Sequence, residues 1–163
     1  MKKNKIFGFL IIIVLIYSFI QYNKPQSNPL PNNYLDDRSN FGKTTQLLNN
    51  AMDLTAPPNN SVKSFTIPKD QESLIYSKLN EGISLSKQID DKFLDYLDPN
   101  LKSYYRFKYI KGNELFLEGI QGDTSNINSE GVKKQLEGNK LIGEWVSWWN
   151  ANRDRITKKA FSE

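Results

Sequence analysis

Residues Ile6 to Ile20, IFGFLIIIVLIYSFI, carry no charge, and Lys2, Lys3 and Lys5 precede them. Twelve of the fifteen are Ile, Leu, Val or Phe. On a translocon insertion scale these twelve favour the bilayer by about 4 to 7 kcal/mol. A bilayer offers no hydrogen-bond partner to a backbone, so a single segment placed there must be helical. The run therefore predicts an N-terminal transmembrane helix over residues 1–22, and that expectation orders everything after it.

The run sits between an uncleaved anchor and a cleaved signal peptide in length. Its exit, YSFIQYNKPQS, has no pair of small residues arranged for cleavage, which favours a signal anchor. Gly8-Phe9 resembles the cut site of a pilin leader, but Ile13 stands where such chains carry Glu. From Ile6 to Tyr22 a helix spans about 25 Å, slightly short of the hydrocarbon core. Lys5 can snorkel and Tyr17 and Tyr22 suit an interface, so the mismatch is tolerable. The lysines place the N-terminus in the cytoplasm and the rest of the chain outside it, in a bacterial inner membrane crossed once. The expected partners are thus the membrane, through residues 6–22, and a protein of the cell envelope.

Charge and missing residue types narrow the chemistry. The chain has 22 Lys and Arg against 18 Asp and Glu. Removing the three leading lysines leaves 19 against 18, so the high pI gives no basis for a nucleic-acid partner. There is no cysteine and no histidine. Disulfides, thiolate metal sites and every His-dependent catalytic arrangement are excluded. No cofactor or metal is expected. The abundance of Lys, Asn and Ile fits an AT-rich bacterial genome.

Residues 23–69 read as a Pro- and Asn-rich tether, interrupted by a short amphipathic helix at 44–54. In that helix Leu47, Leu48, Ala51 and Met52 share a face, Thr44 is placed to cap, and Pro57-Pro58 forbid continuation. Eleven residues are too few for a stable isolated helix, so it is expected to dock.

Residues 70–161 read as the domain. Helix A, about 70–97, presents Ile75, Leu79, Gly82, Ser86, Ile89, Phe93 and Tyr96 at alternating intervals of four and three. Asp98-Pro99 then starts helix B, with Leu101, Tyr105, Tyr109, Gly112, Phe116 and Ile120 as its stripe. After the loop QGDTSNINS, helix C runs over about 129–158 with Gln135, Gly138, Ile142, Trp145, Trp149 and Ile156 inward. The fold class is all-α: a transmembrane helix, a flexible tether, and a small antiparallel three-helix bundle with the short helix docked on it.

Several motifs suggest chemistry and fail on context. Ser84-Leu85-Ser86-Lys87 matches the S-x-x-K of penicillin-recognising enzymes, but S-D-N and K-T-G are missing. Gly42-Lys43-Thr44 lacks the first glycine of a P-loop, since residue 37 is Asp. Glu72-Ser73 resembles the Glu-Ser pair of lytic transglycosylases, without the stretch that follows it there. Asp91, Asp95 and Asp98 share a helix face, yet a straight helix cannot wrap a Ca²⁺ shell, so a solvated charged face is expected. Glu114 and Glu118 with Glu137 and Glu144 lack the histidines of a di-metal bundle and are expected to pair with Arg106, Lys108 and Lys111.

The aromatic residues are the remaining signal. Trp145 and Trp149 lie in the arc and belong to the core. Trp148 lies off its centre. With Tyr104 or Tyr105 it can line a groove for a partner helix, a peptide or a glycan. These three residues, Trp148, Tyr104 and Tyr105, are the candidate binding site. The function expected is a non-enzymatic interaction or accessory protein of the envelope. The alternatives are a ligand- or glycan-binding module and a hydrolase working with carboxylates alone.

Overall fold

Heptad spacing of apolar residues demands long helices that bury one seam each, and such helices dominate the described chain. The computed structural model describes residues 31–55, 67, 69–125 and 128–161. The expected anchor over residues 1–22 lies outside them, as do tether residues 23–30 and 56–66. Among the described residues no helix is long and apolar enough to cross a membrane.

Five helices follow, with no strand among the described residues. A 3₁₀ turn, Asn32–Tyr34, leads into α1, Leu35–Thr55. Then come α2, Glu72–Ser86, and α3, Asp91–Leu97. Helix α4 is continuous through three stretches: Leu101–Tyr104, a π-helical segment Tyr105–Ile110, and Lys111–Gln121. Helix α5 is Glu130–Phe161.

The antiparallel bundle is present, but it has four members. The expected short docked helix at 44–54 is a 21-residue helix that begins at Leu35. The tether reading fails between Leu35 and Thr55. Tyr34, Asp37, Phe41, Thr44, Leu48, Ala51 and Thr55 follow one another at intervals of three and four. Asp37, Thr44 and Thr55 are polar members of this seam, and they hid its period. Each of these three is buried. Asp37 Oδ1 accepts the Asp90 N–H at 2.8 Å and Thr55 Oγ1 donates to Met52 O at 2.7 Å. Thr44 is thus a core residue in mid-helix, not a cap.

Helix α1 runs against α2 and α3, with Leu48 over Gly82 and the Tyr34 ring 5.6 Å from Phe93. It runs parallel to α4, with Phe41 at 5.0 Å from Tyr105 and Asn49 accepting the Tyr109 hydroxyl at 2.8 Å. Helix α5 runs against α4 and closes the ring. The order is up-down-up-down, and Leu30–Phe161 forms one compact unit.

The expected single helix A is broken. Lys87, Gln88 and Ile89 each donate three residues back, which tightens the chain into a turn. Asp90 then adopts an extended conformation and its carboxylate caps α3 through Lys92 N at 2.8 Å. The buried seam nevertheless continues from Ile75 through Ile89 to Phe93. Arg106 holds the break: Nη1 donates to Ser86 O and Nη2 to Ile89 O, each at 2.6 Å. Its Nε donates to Asp91 Oδ1 at 3.0 Å.

Helices α4 and α5 meet at glycine. A Cβ on Gly138 would stand 2.5 Å from Gly112 O, and one on Gly119 would stand 2.6 Å from Gly131 O. In each helix the two glycines lie one heptad apart, so the backbones stay close over two full turns.

Candidate functional site

The close approach of α4 and α5 brings their flanking residues together at the surface. The Tyr104 ring stacks on Trp148, with centroids 4.6 Å apart and planes 10° from parallel. Both are half-buried. Four residues on in α4 and four residues back in α5, Lys108 Nζ meets Glu144 Oε2 at 2.6 Å. This hydrogen bond holds the Glu144 carboxyl below its usual range. The two contacts form successive rungs across one seam, as antiparallel helices with four-residue steps require. Phe107, between the rungs in sequence, is 68% exposed.

Behind the outer rung lies an aromatic column. Trp148 lies 5.7 Å from Trp145, which stacks on Tyr109 at 5.0 Å and on Trp149 at 5.2 Å. Trp149 reaches Phe41 of α1 at 5.9 Å. Such pairs contribute about 0.5–1.5 kcal/mol each beyond their burial and fix the orientation of Trp148.

Of the three candidate residues, the structure brings Trp148 and Tyr104 together. Tyr105 is corrected: it is fully buried, at 0% exposure, beneath Phe41 and beside Trp145. Tyr105 lies in the buried stripe with Leu101 and Tyr109, and Tyr104, about 100° round the helix, falls at its edge. Burial pushes the Tyr105 and Tyr109 phenols far above their ordinary value, the Thr44 hydroxyl and the Arg106 charge opposing this at Tyr105. Thr44 Oγ1 and Tyr105 OH are buried without a hydrogen bond of normal geometry, as are Asn113 Oδ1 and Asn139 Nδ2.

Most of the acids singled out in the sequence are paired. Asp91 pairs with Arg106 at 2.9 Å and Asp95 with Lys102 at 2.8 Å. Asp98, 2% exposed, pairs with Arg155 and accepts Asn100 N–H at 2.8 Å. Glu114 takes Lys87 and Lys111, and Glu118 takes Lys134 at 2.9 Å. That last hydrogen bond lowers the Glu118 carboxyl and raises the Lys134 ammonium. Glu72 accepts the Tyr76 hydroxyl at 2.8 Å. No group of His, Cys, Asp or Glu among the described residues could hold a metal ion.

Sequence reasoning missed Phe107 and the π-helical segment that carries it. Within that segment Lys111 N donates to Arg106 O, five residues back. The surface that results offers aromatic faces, one exposed ring and an ion pair. No protein-family model matches the chain, and no curated protein or solved structure is similar to it.

Proposed function

We propose that this chain is a membrane-anchored, non-enzymatic interaction protein of the bacterial envelope, whose helical bundle stands outside the cytoplasm and docks an envelope protein through the α4–α5 seam. The Tyr104–Trp148 stack is the observation that carries the reading. A half-buried Trp held rigid from behind by Trp145 presents a large contact area at little entropic cost, the character of an interface anchor. Exposed Phe107 and the Lys108–Glu144 pair supply an apolar neighbour and a polar edge. The lysine-flanked run at residues 6–20 supports the location.

In-cell crosslinking followed by pull-down from solubilised membranes tests the proposal. The wild-type chain should recover an envelope protein, and Trp148→Ala should lose at least about tenfold of it, a hot-spot effect. Its thermal midpoint should fall only a few degrees. Recovery of free chain alone, or equal recovery by the variant, overturns it.

A flat aromatic surface also stacks on sugar rings, so the same stack favours a glycan-binding module as a second reading. Tryptophan fluorescence that responds to a cell-wall glycan in wild type, and not in Trp148→Ala, would select it.

A further inference from the structure

Leu35 and Phe161 are both exposed, at 43% and 58%, and both lie at the end of the bundle where α1 starts and α5 stops. The ends are joined there. Arg38 Nη1 donates to Ala160 O at 3.5 Å and its guanidinium lies 5.5 Å from the Phe161 ring centre. Lys159 lies over the Tyr96 ring at 4.4 Å, and Tyr34 packs on Tyr96 at 5.6 Å. The last nine residues of α5, from Arg153 to Phe161, carry four basic groups, of which Arg153 pairs with Asp154 and Arg155 with Asp98, leaving Lys158 and Lys159 at the tip. The nearest acids on α1 are Asp36, which is exposed, and Asp37, which turns inward to Asp90 N. Exposed apolar side chains ringed by tyrosine and by basic groups match the chemistry of a bilayer interface, where rings and methylene stems sit among headgroups.

Chain length argues against the opposite end. Thirteen residue steps separate Tyr22 from Leu35, which at full extension reach no more than about 45 Å. Helix α5 alone is about 48 Å long. A bundle standing on its opposite end would hold Leu35 beyond that reach.

We infer that this end of the bundle is a membrane-docking surface, seating Leu35 and Phe161 in the headgroup region of an anionic bilayer with Arg38, Lys158 and Lys159 toward the phosphates. The inference rests on the anchor reading above. It adds that the bundle lies against its own membrane rather than hanging free of it, which leaves the Tyr104–Trp148 seam directed sideways along the surface.

The chain has no cysteine, so single cysteines can be labelled cleanly. The full chain carrying a polarity-sensitive dye at Asp36→Cys or, at the far end, at Gln121→Cys is reconstituted into vesicles. One set is phosphatidylcholine, the other a mixture with phosphatidylglycerol. The dye at 36 should emit to the blue and resist iodide quenching in the anionic vesicles, less so in the neutral ones, while the dye at 121 stays exposed in both. Adding Phe161→Ser should reverse the shift at 36. Equal quenching at both positions, with the chain still resisting alkaline carbonate, overturns the docking surface and leaves the anchor intact. Extraction by alkaline carbonate overturns both. Protection at 36 that is equal in the two lipids overturns the role of the basic residues and of the anionic lipid.

Discussion

Gly138 and Gly143 sit five residues apart on α5 and should respond oppositely to the same substitution. At Gly138 an added Cβ meets backbone, Gly112 O at 2.5 Å and Phe116 N at 2.8 Å, so the two helices must separate. At Gly143 it meets nothing within 4 Å. Gly138→Ala should cost about 1–3 kcal/mol through overpacking, whereas Gly143→Ala should gain about 0.5–1 kcal/mol by reducing unfolded-state entropy. Urea unfolding of the two variants measures the difference. A second residue-scale effect concerns pH. Tyr105 and Tyr109 have phenol pKa values raised by burial. A raised folded-state pKa contributes stability in full below the ordinary value near 10 and loses it as pH climbs past that value, because only the unfolded chain releases the proton. Phenolate absorbance should therefore show these two of the eight tyrosines ionising together with loss of helix.

At the scale of elements, Arg106 joins three helices. Its side chain satisfies two carbonyls freed at the α2–α3 break and pairs with Asp91 in the first turn of α3. Replacing it by Met keeps most of the stem and abandons both carbonyls. The expected loss is about 2–3 kcal/mol, since hydrogen bonds from a charged donor are the stronger kind. Lys102→Met should leave stability nearly unchanged, because Lys102 and Asp95 are both exposed. Thermal denaturation of the pair tests the contrast. The elements also show where sequence reading succeeds. Seams made of apolar residues, such as Ile75-Leu79-Gly82 or Phe116-Ile120, were legible because burial of hydrocarbon fixes their period. The first half of α1 was not, because two of its buried seam positions are the polar Asp37, held by the Asp90 N–H, and Thr44. The α2–α3 break had a local signal, Asp90 before Asp91-Lys92-Phe93, which a continuous apolar seam outweighed. At the candidate site, the sequence pointed to Trp148 and a nearby tyrosine. The choice of Tyr104 over Tyr105 was already contained in the stripe Leu101–Tyr105–Tyr109, which turns Tyr105 inward.

For the whole molecule, the unequal intimacy of its helix pairs sets an order of assembly. Helices α4 and α5 are neighbours in sequence and touch backbone to backbone at Gly112–Gly138 and Gly119–Gly131. Helix α1 reaches α5 only through residues more than a hundred positions away, such as Arg38 and Ala160. Closing a short loop costs less entropy than closing a long one, so local pairs form first. The α4–α5 hairpin should therefore act as the folding nucleus, and the N-terminal half of α1 should join last. Native-state hydrogen exchange reads this directly: amides of Gly112 to Phe116 should exchange only on global unfolding, and those of Ser39 to Lys43 through a smaller opening. Co-translationally the order is awkward. The helix that leaves the ribosome first can cover Leu48 with Gly82 of the next helix, but the side of Phe41 that meets Trp149 stays bare until the last thirty residues of the chain arrive, and in that interval it is open to chaperones and to neighbouring chains.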